Sequence, residues 1–545
     1  MWVRSAAAAL GAAVLLSANV IAPPAALAIG PPVINPGALP PDDAPGPTEE
    51  MKQNFGCATP LTVGDPDVGQ PAPGNVMLDI ERAWQYSTGA GVSVALIDTG
   101  VTPNPRFTAP FAGGDYVMGL PNGGLNDCES HGTVVASIIG AAPWNPAGRP
   151  TPRPAGAGAP AAPPPPPPNP APTSAPPPPP PASTITITAP PPPPAPPPPP
   201  PPPPDDAPAA GPGDASKQPL VPGLPPGAPD GIVGVAPDAT LISIRQSSTS
   251  FGPAHPTADD IAAHRKAGDI LTLARAIRHA ADLGVKVMNV SVASCINAAA
   301  PVDQDALGAA VRYAAVDKDV VIVAAAGNKG DQPECGQNPV FDPLNPDDPR
   351  DWHGVSTIVT PAWYSNYALS VAAVTPDGQP MPDSINGPWV GVAAPGWRIM
   401  GLSNVNGAPV NALPDKDPGM GDGFWGTSFA AAYTSGVAAL VRAKFPNLTA
   451  HQIIRRLTET AHNPPRGVDH QVGYGVIDPV AALTFDVAPG DPRPVEHLST
   501  ALHVPPPAPG PDLAPRHTAL LGVLAALVVA GVIAAAVAMR RRMSS

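Results

Sequence analysis

The sequence has few cysteines and no Cys-x-x-Cys pair. Its 545 residues contain four, namely Cys57, Cys128, Cys295 and Cys335. Without a Cys-x-x-Cys pair a cysteine-based metal site is disfavoured, and an even number in an exported chain favours disulfides. Three pairings are possible, and we predict the one between sequence neighbours, Cys57 with Cys128 and Cys295 with Cys335.

The sequence also lacks an excess of basic residues. Lysine and arginine total 29 against 43 aspartates and glutamates, which gives a net charge of −14. This charge argues against nucleic acid and against anionic membrane surfaces as partners. No acidic loop has the spacing of a calcium site, and we expect neither a metal nor a cofactor.

Proline is abundant instead, and most of the 89 prolines lie in low-complexity tracts. Such tracts bury too little to pack, so the chain reduces to one large globular unit with appendages. The longest tract, residues 141–229, is predicted to be a disordered insertion that forms polyproline II. Strand-like sequence resumes after it at 231–237 and 240–244. The alternative, a linker between two domains, fails because neither flank is complete by itself.

Apolar segments lie at both ends of the chain. Residues 1–28 combine Arg4, an apolar run and an Ala-x-Ala sequence, the pattern of a secretory signal peptide. Residues 518–539 are 22 residues without a charge, and a helix of this length, about 33 Å, spans a bilayer. Three arginines follow, so the positive-inside rule keeps residues 540–545 cytoplasmic. We predict a single-pass protein of the cell membrane with its body on the extracytoplasmic side.

Two further segments connect the body to these ends. Residues 29–75 form an N-terminal extension, and residues 486–517 form a Pro-rich linker to the membrane segment. The extension begins with a stretch that has no apolar period, so an extended arm is expected rather than a folded inhibitory pro-domain.

The body, residues 76–485, alternates apolar strands with amphipathic helices. Strands are predicted at 92–98, 285–291 and 320–328, and helices at 269–283 and 303–317. This alternation is typical of right-handed βαβ units, so we predict an α/β fold with a mostly parallel sheet.

Ser428 follows a glycine-rich turn and precedes a run of helix-forming residues. At a helix N-terminus its hydroxyl lies near unpaired backbone N–H groups and the positive end of the helix dipole, a position suited to an oxyanion. The alternative is that Thr427 or Ser428 only caps the helix.

Three other residues complete a set with Ser428. Asp98 ends a buried strand, His131 opens a short helix, and Asn328 follows another strand. Each is explained singly as a turn former or a solvated side chain. Together they supply an acyl-transfer site, in which Asp98 orients His131 and His131 takes the proton of Ser428. Asn328 and the backbone N–H of Ser428 would stabilise the oxyanion.

The strings ALIDTG, HGTVVAS, AAAGN, VAAPG and GTSFAA carry these residues in the order Asp, His, Ser, the order of subtilisins. They resemble the subtilisin-like serine proteases of peptidase family S8. The resemblance implies a three-layer α/β/α fold and serine endopeptidase activity on protein substrates.

The signal peptide, the cysteine-bearing arm, the WGTSF sequence and the C-terminal membrane helix resemble one branch of that family, the mycosins of mycobacterial type VII secretion. The long insertion is similar to that of the ESX-5 type. The resemblance implies association with the secretion membrane complex. The alternative function is a structural cap or assembly factor that needs little or no proteolysis.

One motif departs from the family pattern. Residues 291–294 read SVAS, where typical subtilisins carry SLGG at the edge of the cleft to which substrate adds as a strand. Ala293 and Ser294 replace two glycines, and we expect them to narrow the groove. Phe429 replaces the usual methionine.

Overall fold

The computed structural model describes residues 29–108, 110–153, 216–225, 227–256, 261–330, 333–340, 350–465, 467–499 and 514–543, with the backbone alone at 261–268, 514, 515 and 543. The chain divides into two compact units between Ser499 and Thr500. The predicted signal peptide, residues 1–28, lies outside the described residues.

Sixteen strands are described in the first unit. In chain order they are β1 (Met51–Gln53), β2 (Ser93–Asp98), β3 (Phe111–Asp115), β4 (Lys217–Pro219), β5 (Thr240–Arg245), β6 (Phe251–Pro253), β7 (Val287–Val290), β8 (Ser294–Asn297), β9 (Val321–Ala325), β10 (Thr357–Thr360), β11 (Ala368–Val374), β12 (Val390–Pro395), β13 (Gly401–Leu402), β14 (Pro409–Val410), β15 (Ala412–Pro414) and β16 (Met420–Gly423).

Seven of these strands form the central parallel sheet, in the spatial order β12-β11-β9-β7-β2-β5-β3. Every residue of β9 is buried, and so are all residues of β2 after its first. A parallel strand covered on both faces needs this nearly continuous apolar sequence.

The described helices are α1 (Pro73–Met77), α2 (Ile80–Ala83), α3 (His131–Gly140), α4 (Ile261–Asp282), α5 (Asp305–Arg312), α6 (Thr427–Lys444), α7 (Ala450–Glu459), α8 (Pro479–Thr484) and α9 (Ala514–Met543). Helices α3 and α6 pack on one face of the sheet, with Val321 and Val323 of β9. Helices α4 and α5 pack on the other face, with Ile322 and Ala324. Because successive strand side chains point to opposite faces, the sheet has an apolar core on each side. The predicted α/β/α fold is confirmed.

Several boundaries differ from those predicted. Helix α4 begins at Ile261 instead of residue 269, and the predicted helix 303–317 consists of α5 followed by a π-helical turn, Tyr313–Asp317. The segment 231–237 is irregular rather than a strand. Its backbone N–H groups donate hydrogen bonds to carbonyl groups at the end of α3 instead; for example, Val235 N donates to Ile138 O at 2.8 Å.

The predicted insertion 141–229 is too wide at both ends. Ala141 forms a β-bridge with Phe107, and Arg153 N donates to Gln85 O at 3.0 Å. At the other end β4 pairs with β16, the strand that leads toward Ser428. These flanking residues pack because each finds backbone partners in the body. Residues 154–215 lie outside the described part.

The N-terminal extension lies along the body. Strand β1 pairs with β6, and the backbone carbonyls of Ala44 and Gly46 accept hydrogen bonds from the Arg275 guanidinium of α4. Disulfides join Cys57 to Cys128 and Cys295 to Cys335, the pairing of sequence neighbours. The first of them attaches the extension three residues before His131.

The predicted linker begins on the body. Arg312 of α5 forms an ion pair with Glu496 at 2.6 Å, and Ile34 forms a parallel β-bridge with Leu498. The linker therefore does not leave the body at residue 486, because these residues through Ser499 find partners on it.

The second unit contains one described helix, α9. Its segment Arg516–Arg542, 27 residues, is long and apolar enough to cross a membrane. The side chains described along it are exposed, as a helix that contacts lipid requires. The segment contains the predicted span, 518–539.

Candidate active site

Three neighbouring strands of the sheet end at one edge with a polar residue. Asp98 is the last residue of β2, Ser291 follows β7 directly, and Asn328 lies three residues beyond β9. From β2 the chain continues to β3 and β5 on one side, and later builds β7, β9, β11 and β12 on the other. The site thus lies at the carboxyl ends of parallel strands, at a topological switch point.

Asp98 and His131 are in direct contact. The distance from Asp98 Oδ1 to His131 Nδ1 is 2.7 Å, and Asp98 is fully buried whereas the histidine side chain is 30% exposed. The backbone N–H of Thr99 donates to the same carboxylate oxygen at 2.7 Å. A hydrogen bond from Nδ1 to a carboxylate leaves Nε2 as the proton acceptor of a neutral imidazole.

The position of His131 depends on a close approach of the backbone. Helix α3 begins at His131, and a Cβ atom on Gly132 would lie 1.9 Å from the Gly100 carbonyl oxygen. Only glycine permits the start of the helix to lie this close to the turn after Asp98.

Ser428 is the second residue of α6. The N-cap of this helix is Gly426, so no side chain caps the helix N-terminus. The alternative that Thr427 or Ser428 serves as the cap is therefore wrong. The Ser428 hydroxyl donates instead to the backbone carbonyl of Ser291 at 3.1 Å.

Asn328 binds the first turn of the same helix. Its Oδ1 accepts hydrogen bonds from Thr427 N at 2.9 Å and from Thr427 Oγ1 at 3.0 Å. These donors identify the amide oxygen, so the Nδ2 donor points away from Thr427. Gly426 has φ +143°, which favours glycine, and a Cβ there would lie a tight 3.2 Å from Asn328 Nδ2.

Phe429 brings the histidine and the serine helix together. Its ring centroid lies 5.2 Å from that of His131, and its side chain is buried. Because Phe429 directly follows Ser428, this contact sets the imidazole beside the first turn of α6.

Two groups of residues at the site were not predicted from the sequence. Asn289 is fully buried, accepts a hydrogen bond from Ser435 Oγ at 2.9 Å and donates to Ser291 Oγ at 2.6 Å. Asp127 binds Thr99 and Thr133, the neighbours of Asp98 and of His131. The only sequence signal for Asp127 was that a carboxylate lies four residues before His131. For Asn289 the sequence Asn-Val-Ser, residues 289–291, offered no signal except its position at the end of a strand.

The SVAS segment leads into a separate antiparallel ribbon. Strand β8 begins at Ser294 and pairs with β10, with Ser294 opposite Thr360. The disulfide Cys295–Cys335 attaches this ribbon to the segment after Asn328. The narrowing of the groove by Ala293 and Ser294 stays a prediction.

Among the residues that the structure describes, no three His, Cys, Asp or Glu side chains are grouped so that they could hold a metal ion.

The subtilase family profile matches residues 210–475, a range that contains Asn328 and Ser428. Mycosin-2 of Mycobacterium tuberculosis (strain ATCC 25618 / H37Rv) is 55% identical over 540 residues, which are 97% of this chain and 96% of that protein. Mycosin-5 of the same organism is 50% identical over 574 residues, covering 99% of this chain and 97% of that protein. The chain belongs to the mycosins, a branch of the subtilase family.

Two solved structures from type VII secretion systems share the fold. The crystal structure of MycP1 from the ESX-1 type VII secretion system superposes with a TM-score of 0.68 at 39% identity, covering 86% of this chain and all of that one. A chain in the intact ESX-5 inner membrane complex superposes with a TM-score of 0.67 at 44% identity, covering 93% of this chain and 99% of that one. The subtilisin-like fold of the first unit is thus common to these solved structures.

Proposed function

We propose that the chain is a membrane-anchored serine endopeptidase with Asp98, His131 and Ser428 as its catalytic triad. The observation that carries the proposal is the position of the His131 ring, between the buried Asp98 carboxylate at 2.7 Å and the Phe429 ring at 5.2 Å. An imidazole oriented by a carboxylate and set beside a serine is the arrangement that activates a weak nucleophile.

In the first half of the reaction Ser428 Oγ attacks the carbonyl carbon of the scissile bond. The hydroxyl proton leaves its hydrogen bond with Ser291 O and passes to His131 Nε2, while Asp98 stabilises the imidazolium. The carbonyl oxygen becomes an oxyanion and accepts hydrogen bonds from Asn328 Nδ2 and from Ser428 N. The C–N bond then breaks, and His131 gives its proton to the leaving amine.

The second half repeats these roles with water. His131 takes a proton from the water molecule, whose oxygen attacks the ester carbon of the acyl-enzyme. The tetrahedral intermediate collapses, the carboxylic acid product leaves, and Ser428 recovers its proton from His131. Asn328 stabilises the oxyanion in both halves.

The C-terminal segment supports the proposed location. Arg516–Arg542 is long enough to span the bilayer, and Arg540, Arg541 and Arg542 favour a cytoplasmic end. The body then lies on the extracytoplasmic side, where the two disulfides persist. Proteolysis of spheroplasts tests this topology: an added protease should degrade the body without lysis, and protection of the body would contradict the proposal.

The proposed partner is the membrane complex of a type VII secretion system, with exported proteins as substrates. Support comes from the relative in the intact ESX-5 inner membrane complex, which covers 93% of this chain. The same relative favours a second candidate function, a structural cap or assembly factor of that complex. The two functions differ in whether secretion needs an activated serine.

A fluorophosphonate probe tests the enzymatic proposal. The full-length protein, purified in detergent, should be labelled, and Ser428→Ala should abolish labelling and peptide cleavage. Ser370→Ala is the matched control, because Ser370 is a fully buried serine on β11 whose hydroxyl has no partner among the described residues. Equal labelling of wild type and Ser428→Ala would contradict the role given to Ser428.

Complementation separates the two functions. The wild type, which reacts with the probe, and Ser428→Ala, which does not, are each expressed in a strain that lacks the gene. Restoration of secretion by both proteins would favour the structural role. Secretion restored by the wild type alone would favour proteolysis.

A further inference from the structure

The Thr99 hydroxyl lies between two carboxylates. Its Oγ1 is 2.9 Å from Asp127 Oδ1 and 3.3 Å from Asp98 Oδ1, and it accepts a hydrogen bond from Gly132 N at 2.9 Å. A hydroxyl has one hydrogen to donate, so it serves one carboxylate at a time. In the structure the shorter contact is to Asp127.

The other oxygen of Asp127 is bound to helix α3. Asp127 Oδ2 accepts hydrogen bonds from Thr133 N at 2.8 Å and from Thr133 Oγ1 at 2.6 Å. Asp127 Oδ1 also accepts from Glu129 N at 3.1 Å. One buried carboxylate thus connects the residue after Asp98 with the residue two positions after His131.

The environment of Asp127 makes its charge responsive to mild acid. Burial raises the pKa of Asp127 to about 6, hydrogen bonds from Thr133 oppose this increase, and the Asp98 charge adds to it. The titratable groups around Asp127 are Asp98 on β2, His131 on α3 and Glu129 in its own loop. Glu129 Oε1 accepts hydrogen bonds from Ser248 and from Ser250 N.

We propose that Asp127 is a positioning residue for the catalytic pair: when ionised it holds the Thr99 hydroxyl, and when neutral it releases that hydroxyl to Asp98. This inference rests on the proposed protease function. A hydroxyl that turns to Asp98 Oδ1 competes with His131 Nδ1 for the same oxygen, which is the acceptor that stabilises the imidazolium. The nucleophile is then less reactive although Ser428 and His131 are unchanged.

The test measures how fast a fluorophosphonate probe inactivates the full-length protein in detergent, from pH 4 to 8. Asp127→Asn keeps the size of the side chain and removes its charge. Its amide N–H₂ can face Thr99, whose oxygen can accept, while its oxygen faces the Thr133 N–H. This orientation gives up the hydrogen bond from Glu129 N, the longest of those to Asp127 at 3.1 Å. We expect the maximal inactivation rate to fall roughly tenfold, the equivalent of one charge-assisted hydrogen bond, with unchanged probe affinity.

The shape of the pH profile separates positioning from a merely structural role. As the pH falls through about 6 the wild-type rate should fall with the protonation of Asp127, an ionisation that the Asp127→Asn profile lacks. A structural defect would reduce the amount of active protein and leave the shape unchanged.

Thr99 variants provide an independent route if Asp127→Asn folds poorly. Thr99→Val removes the hydroxyl and should also give a profile that lacks the Asp127 ionisation, whereas Thr99→Ser keeps the hydroxyl and should retain the wild-type profile. In the double variant Asp127→Asn/Thr99→Val the rate should recover to that of Thr99→Val, because no hydroxyl is left to compete for Asp98. Asp478→Asn, at the N-cap of α8, is the control and should react like the wild type.

Two results would overturn the inference: a wild-type rate and profile in Asp127→Asn, or a double variant that reacts more slowly than Thr99→Val and no faster than Asp127→Asn. Failure of the proposed function gives a different result, because the wild type itself would then not be labelled at any pH.

Discussion

Ser428 and Ser291 bind each other twice. Ser428 Oγ donates to the Ser291 carbonyl at 3.1 Å, and Ser291 Oγ donates to the Ser428 carbonyl at 3.4 Å. Ser428 is the second residue of helix α6, and Ser291 follows strand β7 directly. The pair therefore attaches the start of the serine helix to the edge of the sheet. Asn289 stabilises this pair by donating a 2.6 Å hydrogen bond to Ser291 Oγ.

Asn289→Ala should lower the free energy of unfolding by about 2–3 kcal/mol. Both Ser291 and Ser435 lose a buried partner, and the shorter side chain leaves a small cavity. Urea unfolding followed by tryptophan fluorescence measures the change. Ser435→Ala, which removes only one of these hydrogen bonds, should cost about 1 kcal/mol. Equal losses in the two variants would show that Asn289 does not stabilise Ser291.

Asn328→Asp should lower kcat for peptide cleavage by roughly 10²–10³-fold with little change in KM. The carboxylate keeps an acceptor for Thr427 but has no N–H to donate to the oxyanion, and one such donor is worth about 2.7–4 kcal/mol. Steady-state kinetics on a peptide substrate measures this effect. The melting temperature serves as the control and should stay near the wild-type value, because the contacts to Thr427 persist. A wild-type kcat would exclude Asn328 as an oxyanion donor.

Asp127 should make the protein more stable in mild acid. Its pKa is about 6 in the folded state against a reference of 3.8, so between these values the folded protein binds more protons than the unfolded one. Stability from this group is fully present below pH 3.8 and is lost as the pH rises through 6. The unfolding free energy of wild type minus that of Asp127→Asn should therefore be larger at pH 4 than at pH 7, by up to roughly 3 kcal/mol.

Urea unfolding at the two pH values measures this difference. Ser435→Ala changes no titratable group, and its difference from wild type should be the same at both. A difference for Asp127→Asn that shrinks at pH 4 would mean that the Asp127 carboxylate is stabilised, not destabilised, by its surroundings.

Ser130→Gly should stabilise the protein by about 0.5–1 kcal/mol. Ser130 has φ +68°, is fully buried, and its hydroxyl has no hydrogen-bond partner within the described part of the chain. Glycine adopts this conformation without a Cβ penalty and removes the unpaired hydroxyl. Thermal unfolding measures the gain. Ser130→Ala removes the hydroxyl but keeps the Cβ, so it should gain less; an equal gain would assign the whole effect to the hydroxyl.

The central strands and helices were predictable because their signals are local. Continuous apolar runs predicted β2 and β9. A local signal of the same kind is the capping box of Thr449 and Gln452 at the start of α7. Strand β3 was missed because its sequence, FAGGD, has little apolar character, and it lies at the edge of the sheet. The apolar segment 231–237 predicted a strand, but in the structure it is irregular and packs against the end of α3.

The sequence by itself determined the kinds of residue available for chemistry, their order along the chain and the ends of strands or helices on which they lie. Only the tertiary structure decided which atoms meet. Hydrophobic periodicity specifies the buried face of each element, whereas a hydrogen bond depends on placement to within a few tenths of an ångström. Placement of that accuracy comes from packing between distant segments, such as those of Ser291 and Ser428, whose sequence separation is 137. For this reason the Asp98–His131 pair was foreseen from its motifs, while the shared Thr99 hydroxyl and the buried Asp127 were not.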